Sequence, residues 1–208
     1  MICSYDETLL YKARTSMAHM FDVAVSLYGY DLSEFYDMFL NSPYSSRFER
    51  GESSIIAGMS GHELAYAVIC EYRNEPLHDH DFSIERSCEY WIGWSLSYYQ
   101  WISTRSFKYI NSIAPISDLY LMYSKYHEMD ISQFVDHINE LSDIKKQQTF
   151  KRLRKYAGLS QKELADKTGV PLRTIQQYEQ GQKNIAHART EVVVRLSRAL
   201  YCNIEELL

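Results

Sequence analysis

Residues 159–182 read LSQKELADKTGVPLRTIQQYEQGQ, a pattern of two short helices joined by a tight turn. Ser160 followed three residues later by Glu163 forms a capping box, and the helix it opens turns Leu164 and Ala165 inward before stopping at Gly169. Glycine there permits positive φ, and the small Ala165 lets the next helix cross closely. Pro171 suits the start of that next helix, whose inward residues are Ile175 and Tyr178 and which ends at Gly181. Upstream, Phe150, Leu153 and Ala157 fall at helical spacing before Gly158. Downstream, a helix from about Thr190 to Tyr201 buries Val193, Leu196 and Leu200, and Asn203 can cap a last short turn holding Leu207 and Leu208. Five helices therefore fill about sixty residues.

In order and spacing, Leu159-Ser160-Gln161, Glu163-Leu164-Ala165, Thr168-Gly169-Val170, Thr174-Ile175, Tyr178-Glu179, Gly181 and Ala199-Leu200 resemble the helix-turn-helix family of phage Cro and C1-type repressors, the XRE family. That resemblance implies sequence-specific binding of double-stranded DNA. The helix Pro171–Gln180 would lie in the major groove with its N-terminal residues against base edges. The implied base contacts are Leu172, Arg173, Thr174 and Gln177, with Arg173 suited to guanine and Gln177 to adenine. Leu172 departs from the glutamine often found at its position, leaving it a thymine methyl to touch or no base to read. Gln161, Lys162, Lys183 and Asn184 are the implied phosphate contacts. Arg154 and Glu179 match a pair that forms a structural ion pair in some relatives. Repressors of this type usually dimerise on a palindromic operator, so a homodimer is expected.

Charge divides the chain in the same place. The net charge is −5. Residues 1–145 hold 10 Lys and Arg against 21 Asp and Glu, a net of −11, while residues 146–208 hold 12 against 6, a net of +6. A basic tail on an acidic body points to nucleic acid as a partner of the tail alone. The expected organisation is an acidic, aromatic-rich helical domain over 1–145 and a DNA-binding domain over 146–208, with the polar stretch Ser142–Thr149 at the boundary as linker or continuous helix. No apolar run is long enough for a membrane span, and the N-terminus does not read as a signal peptide. Cys3, Cys70, Cys88 and Cys202 lack metal-type or redox-type spacing, so a cytoplasmic protein with free thiols is expected.

The region 1–145 lacks period-two alternation and reads as all-α, a helical bundle with its own core. Helices are expected over roughly 6–28, 31–41, 60–73, 84–104, 106–113, 116–126 and 131–143. Asp31, Ser33, Ser60 and Ser83 offer capping side chains, and Pro43, Pro76 and Pro115 mark breaks. Tyr90, Trp94, Tyr98 and Trp101 share one face of the densest aromatic stretch. Burial is the plain reading of that stretch; a partner surface including Trp91, Trp94 and Trp101 is the functional one. Arg47 and Arg50, before the Ser60-capped helix, would suit an anion-binding loop or a partner surface, against ordinary turns and surface charge. His78-Asp79-His80 lacks the partners of a metal site, and Tyr66 stands where an H-E-x-x-H helix would need its second histidine after His62-Glu63. Neither a metal, a cofactor nor catalysis is expected.

Residues 45–64 and the stretch Glu89–Gln100 resemble proteins of bacterial toxin–antitoxin loci. The reading this favours is an antitoxin, whose acidic domain neutralises a co-encoded toxin while the tail represses their shared promoter. The alternatives are a repressor whose helical domain responds to a small molecule or peptide, and an N-terminal toxin or enzyme fused to its regulator. A pocket among the tyrosines would favour the former, and convergence of Arg47, Arg50, His62 and Glu63 on a cleft would favour the latter.

Overall fold

The computed structural model describes residues 3–73 and 87–208. Among them are twelve α-helices, three short 3-10 helices and no strand. The chain divides into two compact units, Met1–Asp136 and His137–Leu208.

The first unit is built around α1 (Leu10–Ser26), which buries Ala13, Met17, Met20, Phe21 and Ala24. α2 (Leu32–Asn41) follows, opened by Asp31, whose carboxylate accepts from the Ser33 and Glu34 amides. Phe21 meets Phe35 and Tyr36 edge-on at 6.1 and 5.5 Å, so an apolar stripe on each helix closes the core between them. Next come α3 (Pro43–Glu49), α4 (Ser53–Ile56) and α5 (Gly61–Cys70). α5 starts at the capping box of Ser60 and Glu63. The long aromatic stretch forms α6 (Cys88–Ser103), and α7 (Phe107–Ile113) and α8 (Ile116–Tyr126) complete the run before α9 (Ile131–Tyr156). Pro76, His78-Asp79-His80 and Ser83 lie outside the described residues, as does the expected start of α6 before Ser87.

Two elements differ from the sequence expectation. α3 and α4 occupy the stretch read as turns or an anion-binding loop. Pro43 stands at the expected break: α2 ends at Asn41, Ser42 caps α3, and Pro43 occupies the first turn of α3, where its missing N–H costs nothing. α3 is also a working part of the core, since Phe48 is buried and the Glu49 carboxylate accepts from the Phe107 amide at 2.6 Å, holding the start of α7.

α6 packs along α1. A Cβ on Gly93 would stand 2.5 Å from the Met17 carbonyl oxygen and 2.9 Å from the Ala18 Cα, so only glycine lets the two backbones come this close. Small polar residues therefore carry much of the buried surface of α6: Ser95, Ser97 and Gln100 are buried beside Ile92, Leu96 and Tyr99. Burial, the plain reading of the aromatic stretch, holds for only part of it. Trp101 is 8% exposed, with its ring N–H on the Tyr5 carbonyl at 2.9 Å, whereas Tyr90, Trp94 and Tyr98 are half-buried.

The second unit contains the C-terminal part of α9, in which Ser142–Thr149 is helical rather than a loop. α10 (Gln161–Thr168), α11 (Leu172–Glu179) and α12 (Thr190–Leu200) follow, with 3-10 turns at Ile185–His187 and Ile204–Glu206. Phe150, Leu164, Val170, Ile175, Tyr178, Val193, Leu196 and Leu200 form its core.

Candidate nucleic-acid interface

α10 and α11 are positioned by local chemistry. The Ser160 hydroxyl accepts from the Glu163 amide at 3.1 Å, and the Glu163 carboxylate accepts from the Ser160 amide at 2.7 Å. Hydrogen bonds from the Ser160 side chain and then from its backbone amide hold the Glu163 carboxyl below the ordinary range. Gly169, at φ 68°, ends α10 in the left-handed region and turns the chain into Pro171 at the head of α11. Ile175 is fully buried and Tyr178 8% exposed, and Tyr178 meets Phe150 edge-on at 6.0 Å. With 100° per residue, this anchoring turns Arg173 and Gln177 to the opposite side of α11, flanked by Thr174 and Leu172. Arg173 is exposed, Leu172 is 38% exposed, and Thr174 and Gln177 are half-buried.

Beneath α11 lies an ion pair. The Arg154 Nε donates to Glu179 Oε1 at 2.5 Å and Nη2 to Oε2 at 3.2 Å, while Nη1 donates to the Leu159 carbonyl at 2.6 Å. Their side chains are only 10% and 5% exposed. Burial alone would raise the Glu179 carboxyl, but hydrogen bonds from Arg154 and Gln161 and the guanidinium charge outweigh it, and the net direction is down. The pair ties α9 to the end of α11 and so sets the pose of the exposed face.

The four residues considered for phosphate contact are differently placed. Lys162 is exposed on α10 and lines a shallow depression with Asp166, Pro171 and Leu172. Gln161 turns its amide inward, donating to Glu179 Oε2 at 2.7 Å, so this side chain is engaged within the domain. Lys183 and Asn184 are both exposed just past α11, with the Asn184 side-chain oxygen accepting from the Ala186 amide at 2.9 Å. Two further polar groups lie near these elements, one along the helical spacing of α11 and one brought there from α12. Gln180 extends the exposed side of α11, and Arg195 of α12 brings Nη1 to 3.2 Å from where a Cβ on Gly169 would sit. Only the crossing of α12 over the turn reveals Arg195.

Residues 150–207 match the family described as helix-turn-helix. The C-terminal unit is a helix-turn-helix domain. It marks the chain as a DNA-binding regulator of transcription. No curated protein and no solved structure matches the chain. The resemblance of the N-terminal region to toxin–antitoxin proteins finds no support in these comparisons.

Outside the helix-turn-helix domain, the residues considered for a partner surface separate. Arg47 is held by Glu52, with Nε to Oε2 at 2.8 Å, and Nη2 also reaches Ser54 Oγ at 3.3 Å. The hydrogen bonds from Arg47 and Ser54 lower the Glu52 carboxyl to about 2. Arg50 is exposed at the end of α3. His62 pairs with the Tyr28 hydroxyl at 3.0 Å, and Glu63 is spent on its capping box. None of these bonds joins two members of the Arg47, Arg50, His62 and Glu63 set. Trp101 is in the core, away from any surface role, whereas Trp91 and Trp94 line a cleft of about 470 Å³ with Tyr11, Tyr90, Tyr123 and His127. Beside it, the Arg14 guanidinium lies 3.0 Å from the Trp94 ring centre and 4.6 Å from that of Tyr98. Burial pulls Arg14 down to about 10, so it remains charged at neutral pH. Among the described residues no cluster of His, Cys, Asp or Glu is placed to hold a metal ion, and no helix is long and apolar enough to cross a membrane.

Proposed function

We propose that this chain is a sequence-specific transcriptional repressor that reads its operator with Arg173, Thr174 and Gln177, and that it does so as a homodimer on a palindromic site. The observation that carries this reading is the outward face of α11, set by burial of Ile175 and Tyr178 and by the Arg154–Glu179 pair. An arginine and a glutamine one turn apart on a groove-sized helix have the donor pattern for adjacent base edges. Lys162, Lys183 and Asn184 flank that face with groups suited to phosphates. Footprinting of the DNA upstream of the chain's own gene tests the proposal: protection of two half-sites about one duplex turn apart is expected. Absence of any sequence-specific protection there would sink the reading of self-repression.

For the N-terminal unit, the first reading is toxin neutralisation. Its acidic balance suits a basic partner, or one whose own substrate is nucleic acid. An adjacent reading frame that is lethal only when this chain is missing is the expected result; lethality of residues 1–136 expressed alone would contradict it. A second reading, a repressor that responds to a small molecule, is favoured by one observation, the aromatic cleft of about 470 Å³ between α1, α6 and α8.

A further inference from the structure

We infer that the cleft between α1, α6 and α8 is a binding site for a small flat aromatic molecule that is neutral or anionic, not for an organic cation. The inference rests on the ligand-responsive reading of the N-terminal unit and names its ligand class. The cavity, about 470 Å³, falls in the range of roughly 300–1,000 Å³ usual for small-molecule sites. Its walls are rings from separate elements: Tyr11 from α1, Tyr90, Trp91 and Trp94 from α6, Tyr123 from α8 and His127 just past it.

Much of the wall is held in place before any ligand arrives. Trp91 meets Tyr123 edge-on at 5.7 Å and Phe134 at 5.5 Å, and Tyr123 stacks on His127 at 4.5 Å. Trp94 is pinned by the Arg14 guanidinium lying on it. Tyr11, by contrast, is 78% exposed although it lines the cleft, so a large apolar ring stands at the mouth with its surface in water. A flat molecule sliding between these rings would cover that surface and stack on π faces already oriented for it.

Charge decides between ligand classes. An aromatic wall by itself also suits a quaternary ammonium or another cation. Here Trp94 already carries a cation, and a second one on the same ring system would be repelled by Arg14. Among the described residues no Asp or Glu lines the cleft to offset that repulsion. The Glu89 carboxylate, on the same helix, accepts from the Tyr120 hydroxyl at 3.0 Å. The Arg14 Nε and Nη2 find no acceptor among the described residues, which adds to the positive potential beside the cleft. Among the described residues, the polar groups that line the cleft beyond the rings are the hydroxyls of Thr15 and Ser87; Ser87 already donates to the Asp22 carboxylate at 2.6 Å, which leaves Thr15 to meet the polar edge of a heteroaromatic ring or a carboxylate.

The test is calorimetric titration of the full chain with four probes of similar size: naphthalene-2-carboxylate, 2-naphthol, N-methylquinolinium and decalin-2-carboxylate. The carboxylate and the naphthol are expected to bind one to one with Kd below about 1 mM, and the flat cation and the saturated, non-planar acid at least about tenfold more weakly. Trp94→Ala and Tyr11→Ala are each expected to weaken naphthalene-2-carboxylate by about tenfold or more; Tyr11 is exposed, so its variant keeps the test valid should Trp94→Ala disturb the fold. Equal or tighter binding of N-methylquinolinium or of the decalin acid overturns the inference, as does the absence of binding by either flat probe, or binding that neither substitution changes. A gel shift with and without saturating naphthalene-2-carboxylate separates the two levels. An altered operator affinity supports the ligand-responsive reading; an unaltered one with binding intact removes that reading and leaves the site.

Discussion

Arg173 and Gln177 stand one turn apart on the side of α11 that its buried residues leave outward. Arg173→Ala is expected to cost about 1–3 kcal/mol of operator binding and to relax selectivity at one base position; competition gel shifts with single-base operator variants check this, and unchanged specificity would move the reading residue elsewhere. Beneath, Glu179 has a depressed folded-state pKa, so the stability it contributes is present above its unfolded value, about 4.3, and is lost as pH falls through the lower folded value. Glu179→Gln strands Arg154 in a buried position and is expected to cost about 3–5 kcal/mol near neutral pH. The same substitution should flatten the acid dependence below about pH 4.5. Amide hydrogen exchange of Leu164 and Ile175 across that range reports both effects. Both partners of this pair were legible from the family resemblance; the inward turn of the Gln161 amide was not, because it depends on where Glu179 ends up.

At the scale of elements, capping and close approach decide the outcome. Ser160→Ala removes the side-chain oxygen that accepts from the Glu163 amide, and about 1 kcal/mol is expected to be lost from the second unit. The Gly93 position is harsher, since a Cβ there would meet the backbone of Met17 and Ala18 rather than a flexible side-chain tip. Gly93→Ala should therefore push α6 off α1 at a cost of about 1–3 kcal/mol, visible as an earlier thermal transition of the first unit in circular dichroism. Ser160, Glu163 and Gly169 were readable because caps and positive-φ turns are written within a few residues. Pro43 marks the break after α2, but the helix it opens was not legible, because a proline alone does not say whether a loop or a helix follows; Ser42 ahead of it as a cap settles that. The aromatic stretch of α6 reads as buried, but apolarity alone does not say which side faces a neighbour. Small residues let α1 approach one side, and Arg14 covers part of another.

For the whole molecule, the −11 and +6 balances of residues 1–145 and 146–208 predict that DNA affinity belongs to the tail and falls steeply with salt. Lys162→Gln and Lys183→Gln should each weaken binding about equally across operator variants and reduce the salt slope by about 1, measured by fluorescence anisotropy over a salt series. A lysine whose loss leaves the slope untouched makes no phosphate contact. By itself the sequence determined the all-α class, the helix-turn-helix tail, its caps and turn, and the division of charge, because each is written in neighbouring residues or in composition. The tertiary structure alone decided that Arg195 reaches the turn at Gly169, that Trp101 is core while Trp94 lies beneath Arg14, and that Tyr11, Trp91 and Tyr123 share one cleft. Those groupings join residues far apart along the chain, and helical periodicity carries no record of which helix will lie against which.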